Sequence, residues 1–311
     1  MSTIIITGGT GLIGRALSTS LLQKGHQVIV LTRSANAKKV NNGAEYSNWD
    51  PENEKIDPGV VSRADVIVHL AGAGVAEKRW SRKRKQEIIN SRVKSSRFLV
   101  KSLETIPNNV HTVISSSAIG WYGPDLVTKD TKMGQYGFQE TDPPSDDFLG
   151  QTCVQWEKSI QPVEKPGKRL VILRTGIVLS KEGGPLKELI KPIMWGIAAI
   201  PGSGRQVVSW VHIEDMVGII NSAIERESMN GVYNAVAPEP VSMKEMILGF
   251  AKALRKIYIP IRVPSFILKA LLGEMSIEVL KSTTVSCKKL MESGYSFRYP
   301  VIGAAVSSLA D

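Results

Sequence analysis

The chain has 311 residues, 42% hydrophobic and 22% charged, with a formal net charge of +10 at pH 7. That balance belongs to a folded globular protein with a sizeable core and excludes a disordered or collagen-like chain. No run of eighteen apolar residues occurs, so no membrane-spanning helix and no membrane partner are expected. Cys153 and Cys287 stand far apart without metal-ligand spacing, so neither a disulfide framework nor a metal site is expected. A reducing, cytoplasmic location fits that usage.

Thr3–Thr7 reads as a buried strand, because Ile4, Ile5 and Ile6 are consecutive and β-branched. With a strand starting this early, no leader peptide is expected. Gly8, Gly11 and Gly14 follow, and a helix is predicted from about Gly11 to Lys24, stopped by Gly25. Glycines at a strand-to-helix turn let backbone approach phosphate oxygens, and the helix N-terminus offers free N–H groups. The triplet Gly9, Gly11, Gly14 fits G-x-G-x-x-G equally, so glycine spacing leaves the subclass open. Its place between strand and helix points to a nucleotide pyrophosphate.

Further strands are predicted at Gln27–Thr32, Ala44–Trp49 and Asp65–Leu70, the last entering Leu70-Ala71-Gly72-Ala73-Gly74. A long helix, Ser81–Leu103, precedes a strand at Val110–Ser115 that feeds Ser115-Ser116-Ser117. A helix at Asp146–Ile160 and a strand at Arg169–Leu173 follow. Strands alternating with helices, several of them unbroken apolar runs, predict an α/β doubly wound parallel sheet of Rossmann type. Right-handed crossovers put every carboxyl strand end, and any ligand, on one edge.

After Arg174 the pattern loosens. Leu186–Ile200, bracketed by glycine and proline, is expected to leave the main sheet. Trp210–Asp215 leads into a helix at Met216–Ile224, and Gly231–Ala235 reads as a returning strand. Residues 1–237 are thus assigned to a nucleotide-binding domain that lends 183–204 to the substrate side. Residues 238–311 are assigned to a smaller C-terminal lobe. Leu189, Ile190, Ile193, Met194, Trp195, Phe266 and Leu268 are read mostly as core. Any that line the pocket imply a weakly polar substrate.

The densest basic run, Lys78 to Lys85, opens the long helix and is read as a solvated face, with an anionic ligand as the next explanation. No nucleic-acid motif accompanies it, and no nucleic-acid partner is expected. The end of the second strand reads Leu31-Thr32-Arg33-Ser34. An acidic residue there would hold ribose hydroxyls and repel a 2′-phosphate. Arg33 can instead pair with that phosphate, with Ser34 and Lys38 adding contacts, so NADP is the expected cofactor.

These residues resemble the extended short-chain dehydrogenase/reductase superfamily over nearly the whole chain. Gly8-x-x-Gly11-x-x-Gly14, Leu70-Ala71-Gly72, Ser115-Ser116-Ser117 with Tyr122-Gly123, Trp210 to Asp215 and Gly231-Val232-Tyr233-Asn234 carry the likeness. Arg79-Trp80, Ser91-Arg92-Val93, Trp156-Glu157, Arg174 to Leu179 and a tail with Gly294-Tyr295 and Tyr299-Pro300 are similar to its divergent epimerase-family branch, which has its own C-terminal domain. The resemblance implies cofactor contacts from Gly8, Thr10, Gly11, Leu12 and Ile13 at the pyrophosphate, and from Thr32, Arg33 and Ser34 at the adenosine end. Leu70, Ala71 and Gly72 would lie beside the ribose. Glu87, Arg92 and Ser115 would approach the cofactor, as would Gly176 and Val178 near the nicotinamide.

The superfamily's Tyr-x-x-x-Lys pair is missing. Registering Glu157 on the family's downstream acid puts Leu149 and Cys153 at those positions. Ser117 stands at the serine position, and Tyr122 is the nearest proton-donor candidate. His212 reads as structural. Three functions stay open: an NADP(H)-dependent oxidoreductase of atypical mechanism on a small carbonyl or alcohol, a nucleotide-sugar epimerase or dehydratase, and a non-catalytic NADP-binding regulator. The chain is expected as a monomer or homodimer.

Overall fold

The computed structural model describes residues 1–33, 43–125 and 137–310. Its centre is an eight-stranded sheet. In chain order the strands are β1 (Thr3–Thr7), β2 (Gln27–Thr32), β3 (Glu45–Asp50), β4 (Lys55–Ile56), β5 (Val66–His69), β6 (Thr112–Ala118), β7 (Arg169–Thr175) and β12 (Gly231–Ala235). The spatial order is β12-β7-β6-β5-β1-β2-β3-β4. Every pairing is parallel except β3 with β4.

The unbroken apolar runs follow from burial on both faces. Ile4 and Ile6 pack toward α1 (Leu12–Gln23) and α6 (Ile213–Glu225), with Leu17, Leu21, Ile219 and Ile220. Ile5, Ile29 and Ile67 face the other way, onto Phe98, Leu99 and Leu103 of α3 (Arg82–Thr105) and Ile160 of α4 (Phe148–Ile160). A short helix, α2 (Pro58–Ser62), adds Val60 and Val61 to that second face. Ser81 caps α3 by accepting from the Arg84 N–H, and Asp147 caps α4 by accepting from Gly150. These caps set where both helices begin.

Strand β6 ends three residues beyond the expected Ser115, which makes Ser117 a strand residue rather than part of the following loop. Past β7, β8 (Ile177–Leu179) pairs in parallel with β11 (Trp210–His212). The segment expected to leave the main sheet does so. It forms α5 (Pro185–Met194) and β9 (Ile197–Pro201), and β9 pairs in parallel with β14 (Ile259–Val263). A further short pair joins β10 (Val207–Val208) to β13 (Val241–Ser242).

Residues on both sides of position 238 share one core. Leu186, Ile193, Ala198 and Ile200 meet Ile247, Phe250 and Ala251 of α7 (Met243–Ala253) and Val306 of α11 (Ile302–Ala310). Between them run α8 (Ser265–Leu272), α9 (Ser276–Leu280) and α10 (Lys288–Glu292). No helix among the described residues is long and apolar enough to cross a membrane.

Candidate functional site

Parallel strands bring the carboxyl ends of β1, β2, β5, β6 and β7 to one edge. The loop after β1 is closed so tightly that side chains would not fit. A Cβ on Gly14 would lie 2.5 Å from the Gly9 Cα, and one on Gly8, at φ +68°, 2.7 Å from the Leu70 carbonyl. Gly11 donates its N–H to the Gly8 carbonyl at 2.9 Å and stands as the N-cap of α1 without a capping side chain. The first turn of α1 contains no acid, so Leu12 and Ile13 present amides and a positive dipole end to an anion. A Cβ on Gly184 would lie 3.2 Å from a methyl carbon of Leu12, so the segment after β8 passes close over this turn.

Thr7 couples that loop to its neighbour. Its buried hydroxyl accepts from the Leu70 N–H at 3.1 Å and the Ala71 N–H at 3.3 Å. The same oxygen lies 2.7 Å from Nδ1 of His69, whose Nε2 is 3.1 Å from the Ser96 hydroxyl. Complete burial pushes His69 down to about 4, which keeps the ring neutral. Sequence reading missed His69 because it sits in an apolar strand, where one polar residue carries no periodic signal.

Gly72 then passes against Arg92, so that a Cβ on Gly72 would sit 3.1 Å from the guanidinium carbon. Arg92 is buried, donates through Nη1 to the Ala73 and Ile88 carbonyls at 3.0 Å, and lies over the Trp156 ring. Burial without a carboxylate partner lowers its pKa to about 10. Glu87 does not join it. Its exposed carboxylate pairs with Arg84 at 2.8 Å, and Arg84 also holds Glu77 and the Gly74 carbonyl. Arg33 is exposed at the carboxyl end of β2, and no carboxylate among the described residues pairs with it. Thr32 ends β2 opposite Asn48, while Ser34 and Lys38 lie outside the described residues.

Ser115 has no accessible surface, and its hydroxyl turns to the Ser116 carbonyl. Ser117 and Tyr122 are brought together, but inside a buried network. The Ser117 hydroxyl donates to Glu157 at 2.6 Å. Arg174 donates to the same carboxylate through Nε at 2.9 Å and Nη2 at 3.0 Å, and through Nη1 to the Tyr122 hydroxyl at 3.0 Å. Tyr122 in turn donates to Asn234 at 2.6 Å, and its ring stacks on Phe138. Burial pushes the Tyr122 phenol up to about 12. A phenol tuned for proton transfer near neutrality needs the opposite shift. Asn234, Arg174 and Glu157 belong to this arrangement, and the Tyr233-Asn234 pair and the Arg174 segment were the signals that could have shown it.

Gly176 donates to the Ala235 carbonyl and is packed against the Ser209 carbonyl, so β8 leaves β7 at a fixed angle. Val178 is buried in β8. His212 caps α6, accepting from the Glu214 N–H at 3.1 Å, as a structural residue would. Leu186, Ile193 and Leu268 are core, whereas Met194, Trp195 and Phe266 are exposed.

Comparison with known proteins matches residues 4–143 to the NAD dependent epimerase/dehydratase family and residues 263–309 to a domain of unknown function, DUF1731. An epimerase family protein of Mycobacterium bovis is 34% identical over 97% of this chain and 96% of its own length. The chain belongs to the epimerase family. A crystal structure of the human epimerase family protein SDR39U1, solved with NADPH, superposes with a TM-score of 0.86 at 28% identity, covering 99% of both chains. A nucleoside-diphosphate sugar epimerase from Corynebacterium glutamicum matches with a TM-score of 0.76 at 32% identity, over 99% of this chain and 58% of that one. The Rossmann-type architecture and a smaller C-terminal region are therefore shared with the family.

Proposed function

We propose that this chain binds NADP(H) at the carboxyl edge of the sheet and uses it in redox chemistry on a small carbonyl or alcohol. The observation that carries the reading is the closed glycine turn at Gly8–Gly14 beside a strand β2 followed by an exposed Arg33 that has no carboxylate partner among the described residues. The turn fits a pyrophosphate because a Cβ at Gly8 or Gly14 would collide with backbone. Arg33 fits a 2′-phosphate because it is cationic, planar and faces solvent. The human relative solved with NADPH supports the same cofactor.

In this reading Thr10, Gly11, Leu12 and Ile13 hold the pyrophosphate, and Thr32 and Arg33 hold the adenosine end. Leu70, Ala71 and Gly72 flank the ribose, with Thr7 fixing the first two. Arg92 supplies a buried cation behind Gly72, and Gly176 and Val178 shape the nicotinamide side. When bound, the nicotinamide would give or take a hydride. Ser117 and Tyr122 hold the strand ends in register for that geometry, and neither is assigned the proton.

A binding protein without turnover is the second reading, favoured by the commitment of Ser117 and Tyr122 to Glu157 and Asn234. Titration of purified protein with NADPH and NADH, followed by thermal shift and by reduced-nicotinamide fluorescence, tests the binding claim. Preference for NADPH is expected. Absence of a response to either, with no nicotinamide extracted from the purified protein, would overturn it. A carbonyl screen with bound NADPH then separates the oxidoreductase from the binder.

A further inference from the structure

Among the described residues, nothing covers one face of the small sheet formed by β9 and β14. On the other side the β9 side chains are packed, with Ala198 and Ile200 meeting Ile247 and Phe250 of α7 and Tyr258 joining the same core, while Pro260 and Arg262 of β14 stay exposed. Strand alternation turns Ile197 and Ala199 of β9, and Ile259 and Ile261 of β14, to the opposite side, where the parallel register sets them beside each other. That side meets solvent. Ile259 is 66% exposed, Ile261 44% and Ile197 39%. Just ahead of the two strands, Ile257 is 96% exposed and Trp195 85%. The outward face of a solvated sheet is normally polar, so a contiguous set of bare isoleucines with a tryptophan marks an interaction surface.

The two segments that carry these strands are one-sided in charge. Residues 185–201 and 252–269 carry seven basic side chains, Lys187, Lys191, Lys252, Arg255, Lys256, Arg262 and Lys269, against the single acid Glu188. All seven are exposed, and the balance is +6 of the chain's +10. Glu188 is already paired with Lys191 at 2.6 Å. The basic run opening α3, by contrast, is partly neutralised within the fold, Arg84 by Glu77 and Glu87 and Lys85 by Glu274. The unbalanced positive charge of the sequence is therefore concentrated in the two segments that carry the bare strands.

We propose that this face is a peripheral docking surface for an anionic lipid bilayer, with Trp195, Ile257 and Ile259 entering the headgroup boundary and the flanking cations meeting lipid phosphates and carboxylates. A second copy of the chain is the weaker occupant, since two-fold pairing of this patch would set the same cations against each other. The exposed side chains of β9 and β14 are aliphatic apart from Pro260 and Arg262, so affinity must come from apolar burial and diffuse charge. A lipid surface answers both. The proposal needs no spanning helix and does not depend on the cofactor reading.

Co-sedimentation of the full chain with phosphatidylcholine vesicles, with and without phosphatidylserine, tests it. Binding is expected only to the phosphatidylserine vesicles, with release by salt and a blue shift of tryptophan emission that Trp195→Phe removes. The double variant Ile257→Glu/Ile259→Glu should weaken partitioning about tenfold or more, since it places two anions on the entering edge. Its thermal unfolding midpoint should match the parent, because both positions face solvent. No partitioning, partitioning indifferent to this variant, or a lipid-free dimer that the variant dissolves would each overturn the proposal.

Discussion

Arg174 of β7 grips Glu157 of α4 with two parallel hydrogen bonds, Nε to Oε1 at 2.9 Å and Nη2 to Oε2 at 3.0 Å, beneath the carboxyl edge of the sheet. The guanidinium also lies 3.6 Å from the Trp121 ring centroid. One charge pair thus joins β6, β7, α4 and, through Tyr122 and Asn234, β12. Removing one member of a buried pair leaves the other charge desolvated. Glu157→Ala should cost about 3–5 kcal/mol in urea unfolding. Arg174→Met added to it should restore part of that loss, and a double variant no better than the single would show that the pair is not coupled.

Tyr122→Phe keeps the ring stacked on Phe138 but leaves the Asn234 oxygen without its donor. A stability loss of about 1–3 kcal/mol is expected, with cofactor affinity retained. If a turnover assay is found, activity should survive in folded protein. Abolished turnover at unchanged stability would instead make Tyr122 the proton donor.

Arg33→Glu exchanges a phosphate partner for a repelling carboxylate. NADPH affinity should fall about tenfold or more while NADH affinity stays near the parent value. Direct binding measurements with both cofactors check this, and equal loss of the two would remove Arg33 from the 2′-phosphate.

His69 gives the fold a pH dependence. Its pKa is about 4 in the folded chain, against an ordinary value of 6.5, because burial disfavours the charged ring. The unfolded chain therefore binds more protons between those limits, and stability is full above 6.5 and lost as pH falls toward 4. About 2 kcal/mol should disappear between pH 7.5 and pH 5. His69→Gln should flatten that part of the urea-derived profile, and an unchanged slope would mean that other groups dominate it.

Much of the architecture was legible in the residues themselves. Ile4, Ile5 and Ile6 in succession require two buried faces, and Thr3–Thr7 and Gln27–Thr32 are strands with the expected bounds. Gly8 at positive φ and Gly14 against the Gly9 backbone explain why the turn is written in glycine. Short strands such as Ile177–Leu179 and Ile259–Val263 escaped notice. Each is held by one partner distant in sequence, and local propensity says little about a segment of that kind.

Local chemistry thus determined the strand–turn–helix unit, the doubly covered sheet and the cation after β2. Each follows from neighbours within a few residues: branching at Cβ, the absence of a side chain, the identity of one charged group. Tertiary structure alone decided what Ser117, Tyr122 and Ile259 do. A hydroxyl becomes part of a buried network, or an isoleucine part of a bare face, according to which distant segment packs against it. Glu157 and Asn234 reached Ser117 and Tyr122 across the sheet, whereas no described segment covers the side chain of Ile259.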